Sequence, residues 1–538
     1  MKVVFLGIVT YRTETSIPWT GLIQYPPVFG VEDPVIAVRK IGQWLENCKT
    51  HQKCQTSTID GPPYLPTRVL ELRSPNHVRL HISDKGERGQ YACLSHCWGG
   101  VVPLRTTSET FESFQHTGIP RHTLPKTFQN VIDLVFQLGL RYLWIDSLCI
   151  IQDNLSDWRH EGSRMSEIYS GAYITIAAAN APNSTMGLYS ASSTFWSLRS
   201  HSYMLPGPTD GRPQYEVSVF RSTYRWDSKF NSHELPLRER AWAFQEEVLS
   251  PRTVHFADDM LYWACSSIHV DERGGKTGLT SDASSMETLH QKLFMPRPTP
   301  MYLSTRGNPP NMLNLVDGNE YSVWHEIVRR YTSCNLTFRK DKFPALQGVA
   351  RYVQRERKCA YFAGLWEDSI WLDILWYVND PEPVKSSDYR APSWSWASRE
   401  GHIVYGFHWL IERKATIISV ETTPAGDDPM GELIGGIIKI KGLSLPAISQ
   451  RVSQRTDVMM LCSSGKTIAK GWCPDTEPSM EDQDFTLLLI ADNDIRSWRY
   501  FLVLAQVGDS TSLFKRVGLM STIGDENLDW EEREFTIV

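Results

Sequence analysis

The chain has 538 residues, a formal net charge of −6, 41% hydrophobic and 22% charged residues. That length asks for roughly two to four domains, and the composition is that of a packed globular chain, which excludes disorder over most of its length. A mildly acidic chain carries no basic footprint, so no nucleic-acid partner is expected.

The ten cysteines form no dense framework, which fits a reduced, cytoplasmic compartment better than secretion. No apolar run reaches the roughly 18 residues of a spanning helix, so no membrane span is expected. The apolar stretch from Val3 to Val9 lacks a small-residue cleavage pattern and reads as a buried strand rather than a leader. Nineteen tryptophans, among them Trp366, Trp371, Trp376, Trp394 and Trp396, read first as core and otherwise as a wall on which a ligand stacks.

In chain order, Val35, Ile36, Val38, Ile41, Trp44 and Leu45 approximate helical spacing and predict a helix over 35–48. Strands are expected near 68–73 and 78–82. Tyr91–Leu94 reads as a buried strand ending at Ser95-His96. A helix over 124–138 follows, with Phe128, Val131, Ile132, Val135 and Leu138 on its apolar face, Pro125 in the first turn and Gly139 at its end. The near-continuously apolar 140–145 reads as a strand buried on both faces. Ser156 is the expected N-cap of a helix over 156–170, and 173–179 is the next strand. Strands alternating with amphipathic helices imply a parallel sheet with right-handed crossovers.

Residues 274–311, rich in Gly, Ser, Thr and Pro, read as a long surface loop. Helices are expected over 322–331, 343–357 and 360–378. Strands are expected at 438–440, 485–490, 500–507 and 535–538, with loops at 424–436 and 473–484. This gives an N-terminal segment (1–64), a domain over 65–270 with its α/β core at 91–180, a flexible loop (271–312), a helical Trp-rich extension (313–435) and a β-rich C-terminal subdomain (436–538).

Four stretches carry a family resemblance. They are Tyr91-Ala92-Cys93-Leu94-Ser95-His96-Cys97-Trp98-Gly99-Gly100; Leu124–Phe128 through Tyr142–Asp153 to Tyr173; Arg240-Ala241-Trp242-Ala243-Phe244-Gln245-Glu246 with Leu249–Arg252; and Ala391-Pro392-Ser393-Trp394-Ser395-Trp396-Ala397-Ser398. In this order they resemble the fungal heterokaryon-incompatibility (HET) domain family. His96 stands where the family commonly has tyrosine, and Ala241 where it commonly has glycine. The resemblance implies a flavodoxin/TIR-like α/β core and a role in cell death on nonself recognition. Some TIR domains cleave NAD with a glutamate placed after the third strand, and no such glutamate is found near Asn180–Leu188.

Ligands of open parallel sheets bind outside the carboxyl ends of the strands, here Ser95-His96, Asp146-Ser147 and Asn180. Trp98 and Cys149 flank them. Asp146 and Ser147 also suit simple capping. Glu161 shares a stripe with Trp158, Met165, Ile168 and Ala172, so it should face the sheet, where burial raises a carboxyl pKa. Pairing with an arginine is its other role. Glu161, Asp146 and His96 are therefore the candidate catalytic groups. Arg240, Gln245 and Glu246 form a further polar set suited to binding a ligand or to pairing within the fold. A Cys149–His96 thiol–imidazole pair would need a lowered thiol pKa.

Cys48, His51 and Cys54 have C-x2-H-x2-C spacing, but zinc needs a fourth ligand, which Cys93 or Cys97 would supply only if the fold brought it near. No metal is expected on that basis. Neither a phosphate-cradling P-loop nor a dinucleotide fingerprint is present. The leading reading is a regulatory or cell-death effector that binds a nucleotide-like small molecule or a protein partner, with a homo-oligomer as one form it can take. The alternative is an enzyme, either an NAD glycohydrolase or a catalyst of fungal natural-product metabolism.

Overall fold

The computed structural model describes residues 5–10, 33–55, 61–189, 200–205, 215–222, 235–257, 260–272 and 274, and then 320–538 apart from 380, 382–387, 406–411, 427, 452–457, 463–466, 470–471, 476–483, 494–497, 509–511 and 524–529. The chain divides into two compact units, Met1–Arg297 and Pro298–Val538.

The first unit is built on an eight-stranded sheet. Its strands are β1 (Arg68–Ser74), β2 (His77–Ile82), β3 (Tyr91–Ser95), β4 (Tyr142–Trp144), β5 (Ile174–Ala177), β6 (Arg252–Phe256), β7 (Leu261–Cys265) and β8 (His269–Asp271). The order across the sheet is β8-β7-β6-β5-β3-β4-β1-β2. β4, β3, β5 and β6 run parallel, and antiparallel strands close both flanks. The chain thus starts its parallel sheet at β3, steps one way to β4, then crosses back over to β5. The strand order reverses at β3.

Four helices cover this sheet: α1 (Pro34–Cys48), α2 (Lys126–Gln137), α3 (Leu155–Gly171) and α4 (Ala241–Leu249). α1 starts where Asp33 accepts hydrogen bonds from the amides of Val35 and Ile36, with Pro34 at a position that has no use for an N–H. α2 buries Phe128, Val131, Ile132, Leu134 and Val135 and stops before Gly139, whose φ of +78° few other residues adopt cheaply. The N-cap of α3 is Asn154, whose side chain accepts from the Asp157 amide at 3.1 Å. The expected cap, Ser156, lies inside the first turn, because the helix begins one residue before it at Leu155.

β3 alternates between two faces. Tyr91 donates to the Ile168 carbonyl of α3, and Ser95 donates to Glu246 of α4. His96, one step on, meets the edge of Phe128 on α2. α3 and α4 pack together on the one face, with Trp158 against Trp242, while α1 and α2 pack together on the sheet through β7, β1 and β4. The segment read as a strand at 3–9 is a strand at Phe5–Thr10, in a separate three-stranded sheet with Ser200–Leu205 and Tyr215–Ser222. Most of the loop expected at 274–311 lies outside the described residues.

In the second unit, helices Glu320–Tyr331 and Gln347–Arg357 form as expected. The helix expected over 360–378 does not. Tyr361–Phe362 and Leu365–Trp366 make a hairpin, Ile370–Asp373 a single turn, and Trp376–Val378 a strand paired with Ile403–Tyr405. Ala363 and Gly364 both have positive φ, which an α-helix forbids, and the Gly364 carbonyl accepts from the indoles of both Trp324 and Trp396. Trp366, Trp376, Trp394 and Trp396 are core residues, as the simpler reading had them.

The C-terminal part is β-rich. A ten-stranded sheet is organised around the long strand Leu433–Arg451. The loop expected over 424–436 is shorter, because Leu433–Gly436 already pair with Thr422–Pro424.

Candidate functional site: the carboxyl ends of the parallel strands

The reversal at β3 leaves its carboxyl end without a crossover connection above it, and such a crevice is where open α/β sheets take ligands. β3 delivers Ser95 and His96 there, β4 delivers Asp146 and Ser147, and α4 brings Arg240, Gln245 and Glu246 across from after β5. The Arg240 guanidinium donates to the His96 carbonyl, which ties the start of α4 to the end of β3.

On the α3/α4 face, Glu246 is buried and accepts from the Ser95 hydroxyl. Burial pushes its carboxyl up to about 7, with Asp146 adding to the rise and Arg240, Ser95 and Tyr169 opposing it. A carboxyl at that value is part acid, part base at neutral pH. Its chain neighbour behaves oppositely. Glu247 is also desolvated, but Arg238 and His255 outweigh this and hold it below the ordinary carboxylate range; Arg238 donates to it at 2.5 Å. Ser95, Arg238, Glu247, Thr253 and His255 line a small pocket beneath the ends of β3, β5 and β6.

On the α2 face, His96 is buried, and burial lowers its pKa to about 4 despite Asp146 nearby. The imidazole is therefore neutral, and its Nδ1 lies 3.7 Å from Asp146 Oδ1. Asp146 is held by the Ser147 amide at 2.7 Å and the Trp98 indole at 3.0 Å. Across the elements that meet at these strand ends, four buried side-chain atoms make no hydrogen bond: His96 Nε2 after β3, Ser147 Oγ after β4, and Gln245 Nε2 and Oε1 on α4. Buried groups of this kind are normally satisfied by water or by a ligand.

Two of the expected site residues have surroundings that bear on their chemistry. Glu161 is buried as its stripe requires, but it lies 3.4 Å from Arg68, which also forks onto both oxygens of Asp157 and donates to the Cys149 carbonyl. Glu161 thus belongs to an ion-pair network between α3 and β1. Burial pushes the Cys149 thiol up to about 12, so it stays protonated and is no nucleophile. One group went unforeseen. Tyr169 interacts with Glu246 and donates to the Leu94 carbonyl at 3.2 Å; it lies one residue off the stripe through Met165 and Ile168, and a broader stripe would have included it.

Away from this site, Cys48, His51 and Cys54 are joined by Cys265 at the end of β7, and neither Cys93 nor Cys97 is part of the group.

Residues 91–246 match the family model described as Heterokaryon incompatibility protein (HET). The chain therefore carries a HET domain, and the match runs from the first residue of β3 to Glu246. No curated protein and no solved structure matches the chain. Among the described residues, no helix is long and apolar enough to cross a membrane.

Proposed function

We propose that the HET domain is the ligand-binding part of a regulatory or cell-death effector of nonself recognition, and that its ligand, a small molecule of nucleotide-like chemistry, occupies the crevice at the ends of β3, β4 and β5. The observation that carries this reading is the set of buried, partnerless polar atoms on His96, Ser147 and Gln245, residues at the ends of β3 and β4 and on α4, together with the raised carboxyl of Glu246. The parallel strand order, second-first-third-fourth, is that of flavodoxin-like sheets, whose ligand sits at the corresponding reversal. The free, buried thiols of the domain suit a reducing, cytoplasmic setting.

A second reading, cleavage of NAD in the manner of TIR enzymes, gains from one observation. The glutamate sought after the third strand is absent from 180–188, but among the described residues the next α-helix after β5 is α4, and it carries Glu246. As a carboxylate, Glu246 would take a proton from water as the water oxygen bonds to the ribose C1′. Nicotinamide would leave with the electrons of the glycosidic bond, giving ADP-ribose and a proton.

The test is to incubate the purified chain with NAD and follow both binding, by calorimetry, and nicotinamide release, by chromatography. Wild type and Glu161→Gln should bind NAD, and Gln245→Leu should bind it at least tenfold more weakly. Release that is lost in Glu246→Gln and kept in Glu161→Gln supports cleavage. Binding without release limits the domain to ligand sensing, and no binding by a folded sample removes NAD as the ligand.

A further inference from the structure

We propose that Cys48, His51, Cys54 and Cys265 form a structural zinc site that fastens the end of α1 to the β7–β8 turn. The ligand atoms of the four residues all lie within 4.8 Å of one another. His51 Nδ1 is 3.6 Å from Cys265 Sγ and 3.9 Å from Cys54 Sγ. Ligands at zinc's usual bond lengths on a tetrahedron are separated by roughly 3.5–3.8 Å, so one ion at the centre reaches all four with little movement. The three cysteines are buried and form no disulfide.

The surroundings suit thiolates rather than thiols. Each sulfur has a polar neighbour: Arg252 Nε donates to Cys48 at 3.3 Å, the Ile268 amide donates to Cys265 at 3.4 Å, and the Ser267 hydroxyl lies 3.5 Å from Cys54. Such outer donors orient metal ligands and spread their charge. Arg252 supplies an independent argument. It is buried, and its other donors go to the carbonyls of Tyr173 and Cys54. Among the described residues no carboxylate pairs with it. A buried guanidinium without a counter-charge is costly. Three thiolates, a neutral imidazole and a divalent zinc carry a net charge of −1, which is the counter-charge Arg252 lacks.

Binding displaces three thiol protons and involves no change of oxidation state. With four protein ligands the ion has no open position, so the site holds structure and does not catalyse. Its two ligand segments are far apart in sequence: one follows α1 and the other ends β7.

The experiment measures metal in the full chain, expressed with zinc and purified without chelator, by elemental analysis and by mercurial-triggered release onto a metallochromic dye. One zinc per chain is expected. It should be lost in Cys265→Ser and retained in His51→Cys, which keeps four ligands. Cobalt reconstitution should give the visible bands of a tetrahedral thiolate site. A folded wild-type chain that carries no zinc, with thiols that react freely with a disulfide reagent, overturns the proposal. So does a disulfide among Cys48, Cys54 and Cys265 in non-reducing mass spectrometry.

Discussion

At the scale of single residues, the account turns on where a charge is welcome. Glu246 has its folded pKa raised from 4.5 to about 7 by burial. The neutral form favours the fold, so the stabilisation is full below pH 4.5 and is lost as pH rises through 7. Glu246→Gln, which cannot ionise, should therefore gain on wild type by about 3 kcal/mol between pH 4.5 and pH 8. Thermal melts of the two proteins at those pH values check this; equal differences at both would show that Glu246 is not buried as described. His96 and His255 work the other way. Burial lowers both to about 4, so the stability they confer is present above pH 6.5 and is lost as pH falls toward 4. Sequence made most of these residues visible, because Ser95, His96, Asp146 and Glu246 sit in distinctive motifs at strand and helix ends. For Glu161 it left two roles open, acid–base work and pairing with an arginine, and the structure shows the arginine, Arg68. The inward stripe of α3 was read correctly, but Glu161's partner Arg68 comes from β1, a strand distant in sequence, and spacing along one helix cannot reveal it.

At the scale of elements, the loops that follow β3 and β5 meet at Gly99. Its φ is +61°, and a Cβ there would come within 1.9 Å of the Pro182 carbonyl oxygen. Gly99→Ala should cost about 2 kcal/mol or more, through backbone strain and the clash together, and should raise hydrogen exchange over 180–188. Unchanged exchange there would mean the two loops do not depend on each other. The β-α-β-α-β core was legible because its two helices are long and periodic, one stopped at Gly139 and the other capped by Asn154, and because its short strands are runs of buried residues. The segment 360–378 was not. Its leucines, isoleucines and tryptophans imitate a helix in composition, while the turn at Ala363-Gly364 is fixed by tertiary bonds from Trp324 and Trp396 to one carbonyl. The fourth member of the Cys48–His51–Cys54 group was hidden for a similar reason, since Cys265 reaches the α1 segment only once the sheet has formed.

At the scale of the molecule, the family match ends at Glu246, although the resemblance in sequence extends through Trp394 and Trp396. That last motif builds the core of the second unit, where Trp394 and Trp396 are fully buried. Its tryptophans serve packing, while the proposed ligand crevice lies in the first unit. On that proposal, over-expression of the full chain is toxic in a host cell, with Glu246→Gln relieving the toxicity while Trp396→Phe reduces it only in proportion to lost protein. Equal toxicity of Glu246→Gln and wild type at equal protein levels would separate the effect from the crevice. The claim that this crevice is the ligand site is tested most directly by hydrogen exchange of the full chain with and without saturating NAD, resolved peptide by peptide. The account predicts protection confined to 94–98, 145–148 and 240–246. Protection elsewhere, with these three segments unchanged, would contradict it.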